Sequence, residues 1–176
     1  RNVFDIYLPD CDDRTPLVIY IHGGGFTGGD KSSIREENVR EFLQSCVAIA
    51  AINYTLLTVP EDGNIQAAED QGGVLPSLLD GARALQFMRY HFQSLNLDPD
   101  NVALYGGSAG AGTSLWLGTH DDLADPTHED PVLRESTRVK AVGAIATQAT
   151  YDLMDWEEVL LRLTEPLVPA FSPSTD

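Results

Sequence analysis

Apolar and polar positions alternate along residues 2–8, with Phe4, Ile6 and Leu8 on one side and Val3, Asp5 and Tyr7 on the other. A period of two is the signature of a half-exposed strand, and Pro9-Asp10 ends it. Residues 17–21, 47–52, 102–105 and 141–146 are instead short, nearly continuous apolar runs. Strands buried on both faces of a parallel sheet read that way. Between them, residues 37–44 carry Val39, Phe42 and Leu43 at helical spacing, and residues 75–92 carry Leu78, Ala82, Leu85, Met88 and Phe92 on one stripe. A further helix rich in small residues is expected over 109–117.

Buried strands alternating with amphipathic helices predict one α/β domain: a three-layer α/β/α sandwich on a mostly parallel, doubly wound sheet. Functional loops then belong at the carboxyl ends of the strands. Two stretches interrupt the rhythm. Residues 58–73 are polar and contain glycine, and residues 120–137 set Asp121, Asp122, Asp125, Glu129 and Asp130 around Pro126 and Pro131. Both are expected as surface excursions, with solvated loops weighed ahead of a binding lid.

Composition narrows the function classes. With 43% hydrophobic residues in 176, the chain can build one core. Its formal charge of −16 repels phosphate backbones and anionic membranes, which argues against nucleic-acid binding. No apolar run approaches the roughly 18 residues of a spanning helix. Cys11 and Cys46 have no metal-like spacing and are read as ordinary thiols, with a disulfide between them left open. For the compartment, the cytoplasm is favoured over the periplasm or secretion, which stay open.

Gly106-Gly107-Ser108-Ala109-Gly110 directly follows the run 102–105 and opens the helix at 109. Strand, tight turn and helix is the setting of a nucleophile elbow, which lifts a serine hydroxyl above the sheet at a helix N-terminus. Such a pentad arises by chance in about one chain of this composition in fifteen. His22-Gly23-Gly24-Gly25-Phe26, which follows the run 17–21, is far rarer by chance, at about a few in a thousand. Consecutive glycines let backbone N–H groups converge on one point, as stabilising a tetrahedral oxyanion requires. A dinucleotide or phosphate site fits poorly, since G-x-G-x-x-G spacing and a Gly-Lys-Ser/Thr ending are both missing.

With these two loops in this order, residues 2–156 resemble the α/β-hydrolases of the hormone-sensitive-lipase-like carboxylesterase group. The resemblance implies Ser108 as nucleophile and the N–H groups of Gly24, Gly25 and Ala109 as the oxyanion hole. It makes His22, together with Gly23, Gly106 and Gly110, structural. Phe26 either lines the acyl pocket or packs in the core. The implied reaction is hydrolysis of small or aryl carboxylic esters through an acyl-serine, with no metal or organic cofactor. A serine peptidase or amidase, or a non-catalytic binding protein of the same fold, is the alternative.

The acid and base are not identified. In this fold they follow as Ser, then Asp or Glu, then His. His91 reads as a helix-terminal residue, while His120 and His128, in the acidic excursion, are weak candidates for the base. Asp152 and Asp155 are candidates for the acid or caps of a helical stretch near Trp156, and no histidine follows them. The expectation is therefore the N-terminal and central portion of a longer enzyme, ending in the proline-rich residues 166–173 before the last strands. An exposed sheet edge, prone to self-association, would follow.

Overall fold

In a computed structural model that describes residues 2–59, 65–148 and 150–152, every buried run becomes a strand. The strands are β1 (Phe4–Tyr7), β2 (Thr15–Ile21), β3 (Ala48–Ile52), β4 (Leu97–Gly107) and β5 (Ala141–Ile145). The helices are α1 (Glu36–Gln44), α2 (Ile65–Glu69), α3 (Leu75–Tyr90) and α4 (Ala109–Thr119). The sheet order is β1-β3-β2-β4-β5. Among the described strands only β1 runs antiparallel, with Phe4 opposite Ile52 and Tyr7 opposite Ile49.

All five residues of β3 are buried, as a strand covered on both faces must be. On one face Leu17, Ile19, Ile21, Val102 and Leu104 pack in a common core with Leu78, Ala82, Leu85 and Met88 of α3 and Leu117 of α4. On the other face Phe42 of α1 meets Tyr105, which in turn lies 5.2 Å from Tyr20, ring centre to ring centre. The result is the expected three-layer α/β/α sandwich on a mostly parallel sheet. Parallel pairing of β2 with both β3 and β4 brings the carboxyl ends of Ile21, Ile52 and Gly106 to one edge. The two glycine loops emerge there side by side.

Four expectations change. Cys11 and Cys46 are not free thiols; they form a disulfide, with Cα atoms 6.1 Å apart. The antiparallel pairing of β1 on β3 is what draws the turn after β1 to the residue just before β3. Strand β4 begins at Leu97, five residues earlier than its apolar run, because Thr15 pairs with Leu97 before the register shifts. Residues 120–137 are a docked segment rather than a solvated loop. Val132 and Thr137 are buried, Arg83 of α3 pairs with Asp130, and Gln86 donates to the Glu135 carbonyl at 2.8 Å. Finally, β5 is not covered on both faces. It is the outer strand of the described sheet, with Ile145 69% exposed.

Candidate active site

Ser108 stands between the end of β4 and the start of α4, with φ 52° and ψ −122°. A non-glycine residue in that region stores strain of about 1–3 kcal/mol, which surrounding contacts must hold in place. Here they can be named. The Ser108 N–H donates to the Ile145 carbonyl at 2.8 Å, and Gly112 N–H donates to the Ser108 carbonyl at 2.9 Å. Gly106 and Gly110 let the elbow press against the end of β2: a Cβ would lie 2.4 Å from the Ile21 oxygen at Gly106 and 1.9 Å from it at Gly110. Serine at a helix N-cap normally spends its hydroxyl on the helix. Ser108 makes no such bond, and it is exposed while Ala109 and Gly110 behind it are buried.

Gly23 abuts this turn: a Cβ there would sit 2.8 Å from the Gly107 oxygen and 3.4 Å from Ser108 Cβ. Gly24 and Gly25 follow with φ 123° and 60°, and Phe26 continues at 62°. Thr27 and Gly28 donate to the Gly24 carbonyl at 3.1 and 3.0 Å, closing a turn. Among the described residues, neither the Gly24 nor the Gly25 N–H is bonded to a backbone carbonyl. Ala109 contributes one of the N–H groups that the first turn of any helix leaves without an intrahelical partner.

His22 is buried in the loop rather than turned outward. Its Nδ1 lies 2.8 Å from the Gly23 carbonyl, which can only accept, so Nδ1 carries the proton. Its ring stacks on Tyr54 at 4.3 Å. Phe26 is wholly buried beside Tyr54, within the core cluster. The sequence carries no signal for Tyr54, whose contact with the His22 carbonyl arises only once β2 and β3 pair.

The four histidines all fall within the described residues, and among those residues neither candidate base is hydrogen-bonded to Ser108. His120 caps the opposite end of α4 from Ser108, about 18 Å away at 1.5 Å per residue. His128 lies in the segment docked on α3, its Nδ1 accepting from the Asp130 N–H. His91 caps α3 and packs on Phe87. Asp152 is exposed, and its N–H donates to Thr150 Oγ1 at 3.2 Å. Asp155 and the stretch near Trp156 lie outside the described residues.

Residues 4–164 match the BD-FAE protein family, which is most of the chain. The chain belongs to the BD-FAE family. This BD-FAE chain is 31% identical over 110 residues to a para-nitrobenzyl esterase of Bacillus subtilis, covering 60% of the chain and 22% of that protein. It is 27% identical over 173 residues to a probable carboxylic ester hydrolase, LipM, of Mycobacterium tuberculosis, covering 95% and 36%. Among solved structures, an acetyl ester-xyloside bifunctional hydrolase of Caldicellulosiruptor lactoaceticus superimposes with TM-score 0.65 at 26% identity, covering 80% of this chain and 47% of that one. A propionate-bound esterase of Thermogutta terrifontis gives TM-score 0.67 at 22% identity, covering 92% and 57%. The BD-FAE chain thus has the α/β-hydrolase fold of carboxylesterases and spans between a fifth and three fifths of the length of these relatives. No helix among the described residues is long and apolar enough to cross a membrane.

Proposed function

We propose that this chain carries the nucleophile and the oxyanion hole of a carboxylic ester hydrolase, of the hormone-sensitive-lipase-like kind. Ser108 attacks the ester carbonyl, the alcohol leaves, and the acyl group is held on Ser108 until water releases it. The N–H groups of Gly24, Gly25 and Ala109 hold the negative oxygen of the tetrahedral intermediate. One observation carries the reading: an exposed serine, strained at φ 52° and free of capping duty, against which a glycine loop packs at Gly23. The esterase relatives supply the substrate class, a small carboxylic ester.

None of the four histidines is hydrogen-bonded to Ser108 among the described residues, and the general base is assigned to no residue of this chain. That absence sets the experiment. Hydrolysis of a chromogenic acetate ester is measured for the chain and for Ser108→Ala, each with and without added imidazole as a soluble base. The expected result is an imidazole-dependent rate in the chain that exceeds the Ser108→Ala rate. Equal rates at every imidazole concentration would instead favour a binding protein that keeps the fold without the chemistry.

A further inference from the structure

Gly24, Gly25 and Phe26 are three consecutive residues at positive φ. Glycine backbones reach several conformations at little cost, so the position of such a loop must be imposed from outside it. The groups that do so come from residues 53–57, immediately past β3. At the far end of the loop, the Lys31 N–H donates to Asn53 Oδ1 at 2.6 Å, and Asn53 Nδ2 donates to Asp30 Oδ2 at 2.8 Å. In the middle, the Leu57 N–H donates to the Phe26 carbonyl at 2.7 Å. At the start, the Tyr54 hydroxyl donates to the His22 carbonyl at 2.9 Å, and its ring stacks on the imidazole within 16° of parallel.

The same five residues are fastened beneath to α3. Thr55 N–H donates to Asp80 Oδ2 at 2.8 Å, and Ser77 Oγ donates to the Thr55 carbonyl at 2.6 Å. A path of hydrogen bonds therefore runs from a 16-residue helix, through this segment, to the loop beside Ser108.

We propose that residues 53–57 are a strap that sets the position of the 22–28 loop over Ser108, with Tyr54 as its positioning residue. This rests on the reading of that loop as an oxyanion hole, whose donors must be placed to within about 0.5 Å to be useful. Tyr54 acts one residue before Gly23, and thus on the backbone that leads directly into the donors. Burial pushes its hydroxyl above the usual tyrosine pKa, so it remains a donor at any working pH.

The test is Tyr54→Phe in the full chain, which keeps the ring stack and deletes the hydroxyl bond. The N–H groups of Thr27, Gly28 and Leu57, each bonded in the intact loop, report by hydrogen exchange. Their exchange should speed about five- to tenfold, the usual worth of one such bond, while β3, β4 and α3 stay within about twofold. Any Ser108-dependent ester hydrolysis should fall in kcat with KM unchanged. Asp80→Ala, which cuts the strap from α3, should loosen the same three amides, and Asp80→Asn, which keeps an acceptor oxygen, should not. Uniform acceleration throughout the sheet, or no change in the loop, would overturn the strap. If the loop loosens but the parent chain shows no Ser108-dependent rate even with imidazole, the strap stands and the esterase reading fails.

Discussion

The glycines of the elbow are not equivalent, and the difference is steric. A Cβ at Gly110 would lie 1.9 Å from the Ile21 oxygen and 2.7 Å from that of His22, both backbone atoms of the strand end that carries the glycine loop. At Gly107, inside the same pentad, the nearest atom to such a Cβ is 3.9 Å away. Gly110→Ala should therefore force the elbow off β2, at a cost of about 3 kcal/mol, the upper range for overpacking a tight site. Gly107→Ala should change stability by less than about 1 kcal/mol. Urea unfolding of the two variants decides it; similar losses in both would mean that the elbow does not depend on this close approach. This much of the site was legible in the sequence, because only glycine tolerates such contacts and the pattern of glycines survives as a motif. Tyr54 was not, because its role depends on a carbonyl 32 positions away that only the parallel pairing of β2 and β3 brings near.

At the scale of elements, the continuous apolar runs predicted the central strands because burial on both faces leaves no other composition open. Where pairing rather than burial defines an element, the pattern was silent. The polar residues 98–101 hid the first half of β4, and β5 reads as buried in the sequence while lying exposed at the edge of the described sheet. The Cys11–Cys46 disulfide escaped for the same reason: a separation of 35 residues carries no signature. Its place makes a clear prediction. The bridge joins the turn after β1 to the start of β3, at the sheet edge opposite Ser108. Closing a loop of this length restricts the unfolded chain by about 4 kcal/mol in the loop-entropy account. Cys11→Ser with Cys46→Ser should lower the urea midpoint accordingly, and dithiothreitol should do the same to the parent chain. The imidazole-assisted reactivity of Ser108 toward a fluorophosphonate should stay within about twofold in buffer without urea, since the glycine loop is tied to α3 through residues 53–57 and the elbow to the Ile145 carbonyl of β5. A loss of serine reactivity equal to the loss of stability would show that the two ends of the sheet are coupled.

At the scale of the molecule, two electrostatic effects of opposite sign act on stability. A net charge of −16 at neutral pH disfavours the compact state through self-repulsion, which acidification relieves. Against this, several aspartates are held below the usual carboxylate pKa by the folded structure. In Asp30 the Ser32 N–H is the main cause, followed by Asn53. In Asp98 it is the Asn101 amide and in Asp125 the Thr127 hydroxyl. The Arg83 guanidinium does the same for Asp130. Burial is the largest single effect on Asp122 and pushes the other way, but the hydroxyls of Ser136 and Thr137 and the N–H groups of Thr137 and Ala124 together outweigh it. A carboxylate whose folded pKa is depressed stabilises the fold above its unfolded pKa, and that contribution is lost as pH falls through the folded value. Stability should therefore hold or rise slightly from pH 7 to about 5 as repulsion eases, then fall steeply below about 4 as these aspartates take up protons. Urea midpoints at pH 7, 5, 4 and 3 measure this, and Asp30→Asn should flatten the acid limb. Stability still rising at pH 3 would show that self-repulsion outweighs the local bonds. Salt separates the two effects: raising ionic strength from about 0.01 to 0.15 M shortens the screening length from about 30 to 8 Å. The midpoint should then rise at pH 7, where long-range repulsion dominates, and change little at pH 4, where short hydrogen bonds decide.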